Sequence, residues 1–148
     1  MSTLLWSSQA NEAKFFGAFE HSLDVKGRIT LPVKFRGHFG DRCFLTRSQF
    51  GDPCVVVWTP DDFFGFANRI NGEAWGDESS RRSIRTWARE AYEVELDRMG
   101  RMAIPAPLRA LAELTKEVSV QGAVGTIELW SPVRWREYSD SSGVSSSE

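Results

Sequence analysis

The sequence predicts an α+β protein made of two copies of one small half-domain, which pack on each other as an intramolecular pseudo-dimer with short helices. Two observations lead to this fold class. A 17-residue segment occurs twice, and each copy is followed by short apolar runs of strand type and then by a helix-start signal. One copy covers roughly 45 residues, which alone would bury too little surface to be stable. The 148-residue chain therefore suits one compact domain in which each copy completes the other.

The repeat is visible by direct comparison. Residues 20–36 (EHSLDVKGRITLPVKFR) and residues 93–109 (EVELDRMGRMAIPAPLR) are identical at seven of 17 positions, at a constant offset of 73. Downstream, the Trp-Thr-Pro at 58–60 corresponds to the Trp-Ser-Pro at 130–132, at an offset of 72. A solenoid needs at least three short units. Two long copies instead indicate a duplicated half-domain.

Each copy begins with a strand–turn–strand pattern. Residues 17–23 alternate between small or apolar and polar types, as a half-buried strand does. Asp24 and Gly27 predict a turn, since Asp bonds its own backbone two residues on and Gly supplies positive φ, and the next strand would complete a hairpin. The predicted elements of the first copy are strand 17–23, turn 24–27, strand 28–31, a short helix opened by Pro32, strands 42–46 and 54–58, and a helix from Pro60. Those of the second copy are strand 92–97, turn 97–100, strand 101–104, helix 106–114, strands 117–121 and 126–130, and a short helix from Pro132.

The two repeats are joined by a helical linker. A helix is predicted from Ser80 to Ala91, with four arginines outward at 81, 82, 85 and 89, a pattern that favours a solvated or subunit-contacting face over phosphate contact. The last ten residues are rich in serine and low in apolar types, which favours disorder. The predicted divisions are a flexible N-terminal extension (1–15), the first repeat (16–63), the helical linker (64–91), the second repeat (92–138) and a disordered tail (139–148).

Composition and motifs exclude several function classes. No apolar run reaches the roughly 18 residues of a membrane span, and the N-terminus lacks the basic stretch and long apolar core of a secretory signal. We therefore expect a cytoplasmic protein without membrane association. The chain has no G-x-S-x-G, Walker A or GxGxxG motif, and no residue stands out as a nucleophile with its base. We predict neither an enzyme nor a cofactor or small-molecule substrate.

The cysteines and histidines lack the spacing of a metal site. Cys43 and Cys54 stand in apolar surroundings and form no CxxC motif, which favours two buried, reduced thiols over a cross-strand disulfide. His21 and His38 are the only histidines, and neither has a second ligand at metal-binding spacing. We expect no metal.

The element that carries function is a D-x-x-G-R loop, which occurs at 24–28 and again at 97–101. Arginine can contact the O6 and N7 atoms of guanine in bidentate fashion, and lysine suits phosphate, so an exposed loop with both can enter a major groove. The net charge of -2 argues mildly against DNA binding, but a local basic surface is sufficient. The residues assigned to DNA contact are Lys26, Arg28, Arg98 and Arg101, and those assigned to organising the loops are Asp24, Gly27, Asp97 and Gly100.

A structural alternative stands beside this interpretation. The loop is then only a tight turn, closed by an Asp cap and an Asp–Arg pair. In the second repeat, where Met99 replaces the basic Lys26, the two interpretations are nearly balanced. In both, Asp holds the loop through backbone N–H groups or through its own arginine. Arg36 and Arg109, which follow the helix-opening prolines, fit a solvated helix face or a pair with a nearby acid.

The stretches FEHSLDVKGRITLPVKFR and YEVELDRMGRMAIPAPLR resemble the two repeats of the MraZ family, and the WTPDDF and LWSPVRW segments fit it too. The resemblance covers about residues 16–138. It implies two intertwined AbrB-like β half-barrels of swapped-hairpin type, a ring-shaped homo-oligomer, and a nucleoid-associated regulator. Such proteins bind double-stranded DNA at direct-repeat boxes upstream of the division and cell-wall gene cluster, usually repressing it. The signature positions are Asp24 with Arg28 and Asp97 with Arg101, and Lys26 stands at a basic position.

Two functional hypotheses follow. The first is a ring-forming transcriptional regulator whose loop contacts add up over tandem boxes through multivalency, and it requires Arg28 to be exposed and unpaired. The second is an AbrB-like protein-interaction or scaffold module, antitoxin-like, without specific DNA readout. It is favoured if Arg28 is buried against Asp24 and aromatic surface dominates. The aromatic candidates for subunit contact are Phe63, Phe64, Phe66 and Trp75.

Overall fold

A computed structural model describes residues 12–141 as an α+β fold with a mainly antiparallel sheet, so the predicted fold class is confirmed at that level. In each copy two strands are followed by a short helix, then by two more strands and another helix. The additional helix of the linker lies between the two copies. In chain order the elements are β1 (Ala18–Ser22), β2 (Arg28–Thr30), α1 (Val33–Arg36), β3 (Arg42–Arg47), β4 (Val55–Trp58), α2 (Pro60–Glu73), α3 (Glu78–Arg89), β5 (Tyr92–Glu95), β6 (Arg101–Ala103), α4 (Ala106–Leu111), β7 (Glu117–Gly122), β8 (Ile127–Trp130) and α5 (Pro132–Ser141).

The two copies exchange strands. The main sheet has the order β1-β7-β8-β4-β3-β5, which is symmetric when each strand is replaced by its counterpart in the other copy. Each outer strand therefore pairs with the other copy, β1 with β7 and β5 with β3, while β4 and β8 meet in the middle. This exchange places every strand of one copy within a surface completed by the other, as the small size of each copy requires.

The predicted local hairpins at the two D-x-x-G-R turns are wrong in their pairing. The segments before and after the first turn bond different partners. Before the turn, Leu23 N donates to Lys116 O at 2.8 Å, whereas after it Leu31 N donates to Gly100 O at 2.8 Å. β2 pairs with β6 in a separate two-stranded ribbon instead of pairing with β1. A hairpin within one copy would cover only that copy's apolar residues, whereas the exchanged pairing joins both copies over one core.

Two apolar cores lie on opposite sides of the main sheet. Along β4, Val55 and Val57 face the first core, whereas Val56 and Trp58 face the second, since alternate strand residues point to opposite faces. The first core is closed by the β2–β6 ribbon with α1 and α4, and the second by α2 and α3 and, through Trp135, by α5. The ribbon and the α2–α3 pair are therefore separated by the sheet.

The helix α2 begins as predicted from its sequence. Thr59 is the N-cap and accepts a hydrogen bond from Asp62 N at 3.2 Å, with Pro60 in the first turn. Phe63 is buried and stacks on Phe44 with ring centroids 4.1 Å apart. Phe63 and Phe66 thus belong to the second core, so of the four aromatic candidates for subunit contact only Phe64 and Trp75 remain largely exposed.

The ordered N-terminal segment extends further than predicted. Phe15, assigned above to a flexible extension, is only 1% exposed and belongs to the first core. Its N and O atoms are each 3.0 Å from the O and N atoms of Val124, and Lys14 Nζ forms an ion pair with Asp62 at 2.8 Å. At the other end α5 continues to Ser141. The remaining parts of the predicted extension and tail, 1–11 and 142–148, lie outside the described residues.

Both cysteines are buried and free, as predicted. Cys43 Sγ lies 3.6 Å from Met102 Sδ in the first core, and burial raises the pKa of its thiol to about 12. Burial also raises the pKa of the Cys54 thiol, which lies in the second core. Since the thiolate is the reactive form, both side chains act as small apolar groups.

Candidate nucleic-acid interface

The first D-x-x-G-R loop is closed by its aspartate. Asp24 Oδ1 accepts hydrogen bonds from the backbone N–H groups of Lys26 and Arg28, both at 2.9 Å. Asp24 Oδ2 accepts from Arg28 Nε at 2.7 Å. The backbone turns tightly because Gly27 has φ of +76°. One carboxylate therefore fixes both the main chain of the loop and the direction of its arginine.

The second loop repeats this geometry. Asp97 Oδ1 accepts from Met99 N and Arg101 N, both at 2.9 Å, and Asp97 Oδ2 accepts from Arg101 Nε at 2.8 Å. Gly100 has φ of +79°. The replacement of a lysine by Met99 leaves the loop frame unchanged, because the frame uses the backbone of that residue and not its side chain.

These bonds hold the pKa of both aspartates below the ordinary value. The largest cause is the backbone N–H of Arg28 for Asp24 and that of Arg101 for Asp97, and the arginine side chains add to it. A depressed folded-state pKa means that the loops gain stability above the unfolded pKa and lose it as pH falls through the folded pKa. Both carboxylates are thus ionised at neutral pH.

The two loop arginines are paired on one side and open on the other. The side chains of Arg28 and Arg101 are 29% and 33% exposed, and each pairs with its aspartate through Nε. Among residues 12–141, their terminal Nη nitrogens have no acceptor. Neither of the two conditions set for Arg28 is met in full, because its side chain is paired with Asp24 but is not buried. An arginine held through Nε keeps its Nη fork available for an external acceptor pair.

The β2–β6 ribbon sets the distance between the loops. Arg28 lies opposite Ala103, and Thr30 lies opposite Arg101. Gly27 O accepts from Ile104 N at 3.1 Å at one end of the ribbon, and Gly100 O accepts from Leu31 N at the other. Four residues separate these ends, about 13 Å at strand rise. The two loops thus lie at opposite ends of the same two-stranded ribbon.

Sequence analysis missed two members of this site, Arg36 and Arg109. Arg36 Nε donates to Leu31 O and Arg109 Nε donates to Ile104 O, both at 2.9 Å. Neither matches the predicted solvated face or acid pair. A Cβ placed on Gly100 would overlap Arg36 Nε, and one placed on Gly27 would lie 3.1 Å from Arg109 Cζ. Each arginine therefore lies over the glycine of the other copy's loop. The signal in the sequence that could have indicated these two residues is that both copies of the repeat have an arginine at this position, at the offset of 73.

Each end of the ribbon gathers positive charge on an otherwise acidic chain. Each end carries one aspartate and three cations. Lys26 and Arg98 are exposed at the loop tips. The first group comprises Lys26, Arg28 and Arg109, and the second Arg98, Arg101 and Arg36. Such a surface attracts an anionic polymer despite the net charge of -2.

Within the described part of the chain, no three His, Cys, Asp or Glu side chains gather as they would around a metal ion. No helix in residues 12–141 has the length and apolar character needed to cross a membrane.

Comparison with known proteins identifies the family. The model of the family described as "MraZ protein, putative antitoxin-like" matches residues 15–85 and 87–148. A protein named "Transcriptional regulator MraZ" from Nocardioides sp. is 42% identical over 125 residues, 84% of this chain and 85% of its own length. Proteins of the same name from Alkaliphilus metalliredigens and Halothermothrix orenii are 37% and 38% identical, over 88% and 86% of this chain and 90% and 87% of theirs. The chain belongs to the MraZ family.

Proposed function

We propose that the protein is a sequence-specific DNA-binding transcriptional regulator that contacts DNA through its two D-x-x-G-R loops. The observation that carries the proposal is the pair of arginines, Arg28 and Arg101, each held by an aspartate through Nε with its Nη fork open. The family relatives named above as transcriptional regulators support it.

Each residue of the site has a part in this proposal. Arg28 and Arg101 contact guanine edges, because the open fork matches the O6 and N7 acceptors. Lys26 and Arg98, at the loop tips, contact phosphate and position the loops. Asp24, Gly27, Asp97 and Gly100 organise the loops and make no DNA contact. Arg36 and Arg109 complete each basic group from the other copy.

The finer proposal concerns assembly and target. We infer that two swapped-hairpin half-barrels of AbrB type make up the chain, with the repeats at 16–63 and 92–138, and that several chains form a ring. The ring binds direct-repeat boxes upstream of the division and cell-wall gene cluster and represses it, as a cytoplasmic, nucleoid-associated protein. No enzymatic step, cofactor or small-molecule substrate enters this function. The family resemblance and the strand exchange between copies support this arrangement.

A second candidate is the scaffold or antitoxin-like module without specific DNA readout. Two observations favour it: Arg28 is paired with Asp24, and Trp75 and Phe64 are 79% and 47% exposed. The same test separates the two functions.

The test is binding of the wild-type protein to a labelled DNA fragment from upstream of its own gene, compared with a shuffled fragment, over a salt series. We expect preference for the natural fragment and a steep fall of affinity with salt, because several phosphate contacts release counterions together. Equal binding to both fragments, or none, would contradict specific readout and favour the scaffold.

Two glycine variants test the place of Arg36. Gly100 and Gly51 have φ of +79° and +83°, but a methyl on Gly51 would meet no atom within 4 Å, whereas one on Gly100 would overlap Arg36. Both alanine variants should lose about 1 kcal/mol of unfolding free energy to backbone strain. Only Gly100→Ala displaces Arg36, so only it should weaken DNA binding. Equal DNA affinities of the two variants would remove Arg36 from the interface.

A further inference from the structure

A row of arginines on α3 points away from the protein. Arg82, Arg85 and Arg89 are exposed and lie at helical spacing opposite the buried Trp87. We call these three residues the arginine stripe. Arg82 Nη2 bonds Glu78 of its own helix at 3.0 Å, but Arg85 and Arg89 have no carboxylate partner among residues 12–141. The guanidinium groups of Arg85 and Arg89 can therefore pair with a carboxylate of another molecule.

The opposite charge occurs at the other edge of the main sheet, where β1 of the first copy pairs with β7 of the second. Glu20 of β1 and Glu117 of β7 are diagonal neighbours, because Glu20 lies opposite Ser119 and Ser22 lies opposite Glu117. We call this pair the acidic edge. Both side chains are exposed, and neither has a cationic partner in the described part of the chain. Glu117 accepts only from Ser22 Oγ, at 3.2 Å. Long side chains at this diagonal spacing are within reach of each other, so the two negative charges are close together on the surface.

The internal repeat shows that this imbalance is a difference between the copies. The counterparts of Glu20 and Glu117 by strand register are Glu93 and Arg42. Arg42 Nη1 and Glu93 Oε2 form an ion pair at 2.5 Å. Where β3 pairs with β5, Arg42 therefore neutralises Glu93 within the chain. Where β1 pairs with β7, Glu117 stands at the position of that arginine, and Glu20 is left without a neutralising partner.

The arginine stripe and the acidic edge both lie on the side of the main sheet away from the D-x-x-G-R loops. Phe19 of β1 and Val118 of β7 pack in the first core, under the ribbon, so Glu20 and Glu117 point to the other side. The stripe lies on that side too, because α3 covers the second core. DNA bound at the loops is therefore separated from the stripe by the sheet.

The helix α3, which carries the stripe, has no counterpart at the acidic edge. Within residues 12–141 the second copy is followed by α5 alone, which corresponds to α2, contacts β7 and packs Trp135 against the second core, although none of its residues is fully buried. The outward residues of β1, Ala18, Glu20 and Ser22, are exposed. The half of the sheet that carries the acidic edge is therefore covered by one helix where the other half is covered by two, and Glu20 and Glu117 stay exposed to a partner.

We propose that the arginine stripe of one chain docks on the acidic edge of a second copy of this chain. The two surfaces complement each other in charge, lie on different halves of the same sheet side, and are present once in every chain. Each chain can therefore both donate and receive the contact, which links chains head to tail into a ring or, where the rotation does not close, into an open filament. Trp75, in the groove beside Arg81 and Arg85, adds apolar surface to it. This inference deepens the self-assembly part of the proposed function and does not depend on DNA recognition.

The test measures assembly without DNA, so that a failure of DNA binding and a failure of this contact are distinguishable. Sedimentation velocity at several concentrations compares the wild type with the stripe variant Arg85→Glu/Arg89→Glu, the edge variant Glu20→Arg/Glu117→Arg, and the chain with all four changes. A control with the same charge change as the stripe variant, Lys34→Glu/Lys116→Glu, alters two exposed lysines that belong to neither surface. Circular dichroism verifies the fold of each.

We expect the stripe and edge variants each to raise the dissociation constant about tenfold or more, because like charges then face each other. The four-fold variant should assemble again, and the control should assemble like the wild type. The proposal is overturned if the wild type is monomeric, if either double variant assembles normally, or if the four-fold variant stays dissociated, which would show that the two surfaces do not meet each other. A control that dissociates like the stripe variant would likewise show that net charge, not this contact, governs assembly.

Discussion

Replacing Arg28 with alanine is expected to weaken binding to the natural promoter fragment by about fivefold to 160-fold per contact, the value of one bidentate arginine–guanine pair of roughly 1–3 kcal/mol. The loss multiplies when several chains of one assembly engage tandem boxes together. Stability should change by less than about 1 kcal/mol, because the Arg28–Asp24 pair is a partly exposed ion pair. Fluorescence anisotropy with the natural and shuffled fragments measures the effect.

Two companion variants make this result interpretable. Arg28→Lys keeps the charge but not the planar fork, so it should retain the salt-dependent, unspecific part of binding and lose preference for the natural fragment. Arg136→Ala removes an exposed cation from α5, on the far side of the sheet, and should bind like the wild type. If Arg28→Ala binds the natural fragment as tightly as Arg136→Ala does, the loop is not the reading element and the scaffold function moves ahead.

Gly122→Ala is expected to cause the largest loss of stability, about 3 kcal/mol. A methyl on Gly122 would overlap backbone atoms of Phe15 and Phe16, which cannot rotate away as a side chain would. The N-terminal segment must then leave the sheet. It would lose its hydrogen bonds to Val124, about 1 kcal/mol each, and expose Phe15, worth roughly 1.5–3 kcal/mol. Urea unfolding at one fixed protein concentration measures the difference.

Gly37→Ala is the matched control for this variant. Gly37 follows α1 with φ of -62°, and a Cβ there would meet no atom within 4 Å. Because alanine fits that backbone and restricts the unfolded chain, the substitution should stabilise by about 0.4–1 kcal/mol. The two alanine variants should therefore shift the unfolding midpoint in opposite directions. A Gly122→Ala protein as stable as the wild type would mean that the N-terminal segment does not cross this position in solution.

Local elements could be predicted from the sequence because their signals are local. A proline at the first position starts α2 and α5, and the Asp and Gly of each loop specify a turn whatever lies around it. The internal repeat was equally visible, since an offset of 73 needs no structure to detect. The eight residues assigned to the loops were nominated from this repeat, the chemistry of its side chains and the family resemblance, and their contact with DNA stays a prediction.

The duplication, the α+β class and the turn chemistry were thus determined by the sequence itself, whereas the partner of each strand was decided only by the tertiary structure. Alternation along a strand shows which residues face the core, but backbone hydrogen bonds are the same for any partner, so β1 could not be assigned to β7. For the same reason the burial of Phe15 and the position of Arg36 over Gly100 could not be predicted from the sequence. All three depend on contacts between the two copies, and a core shared by both copies excludes the local hairpin that one copy alone would form.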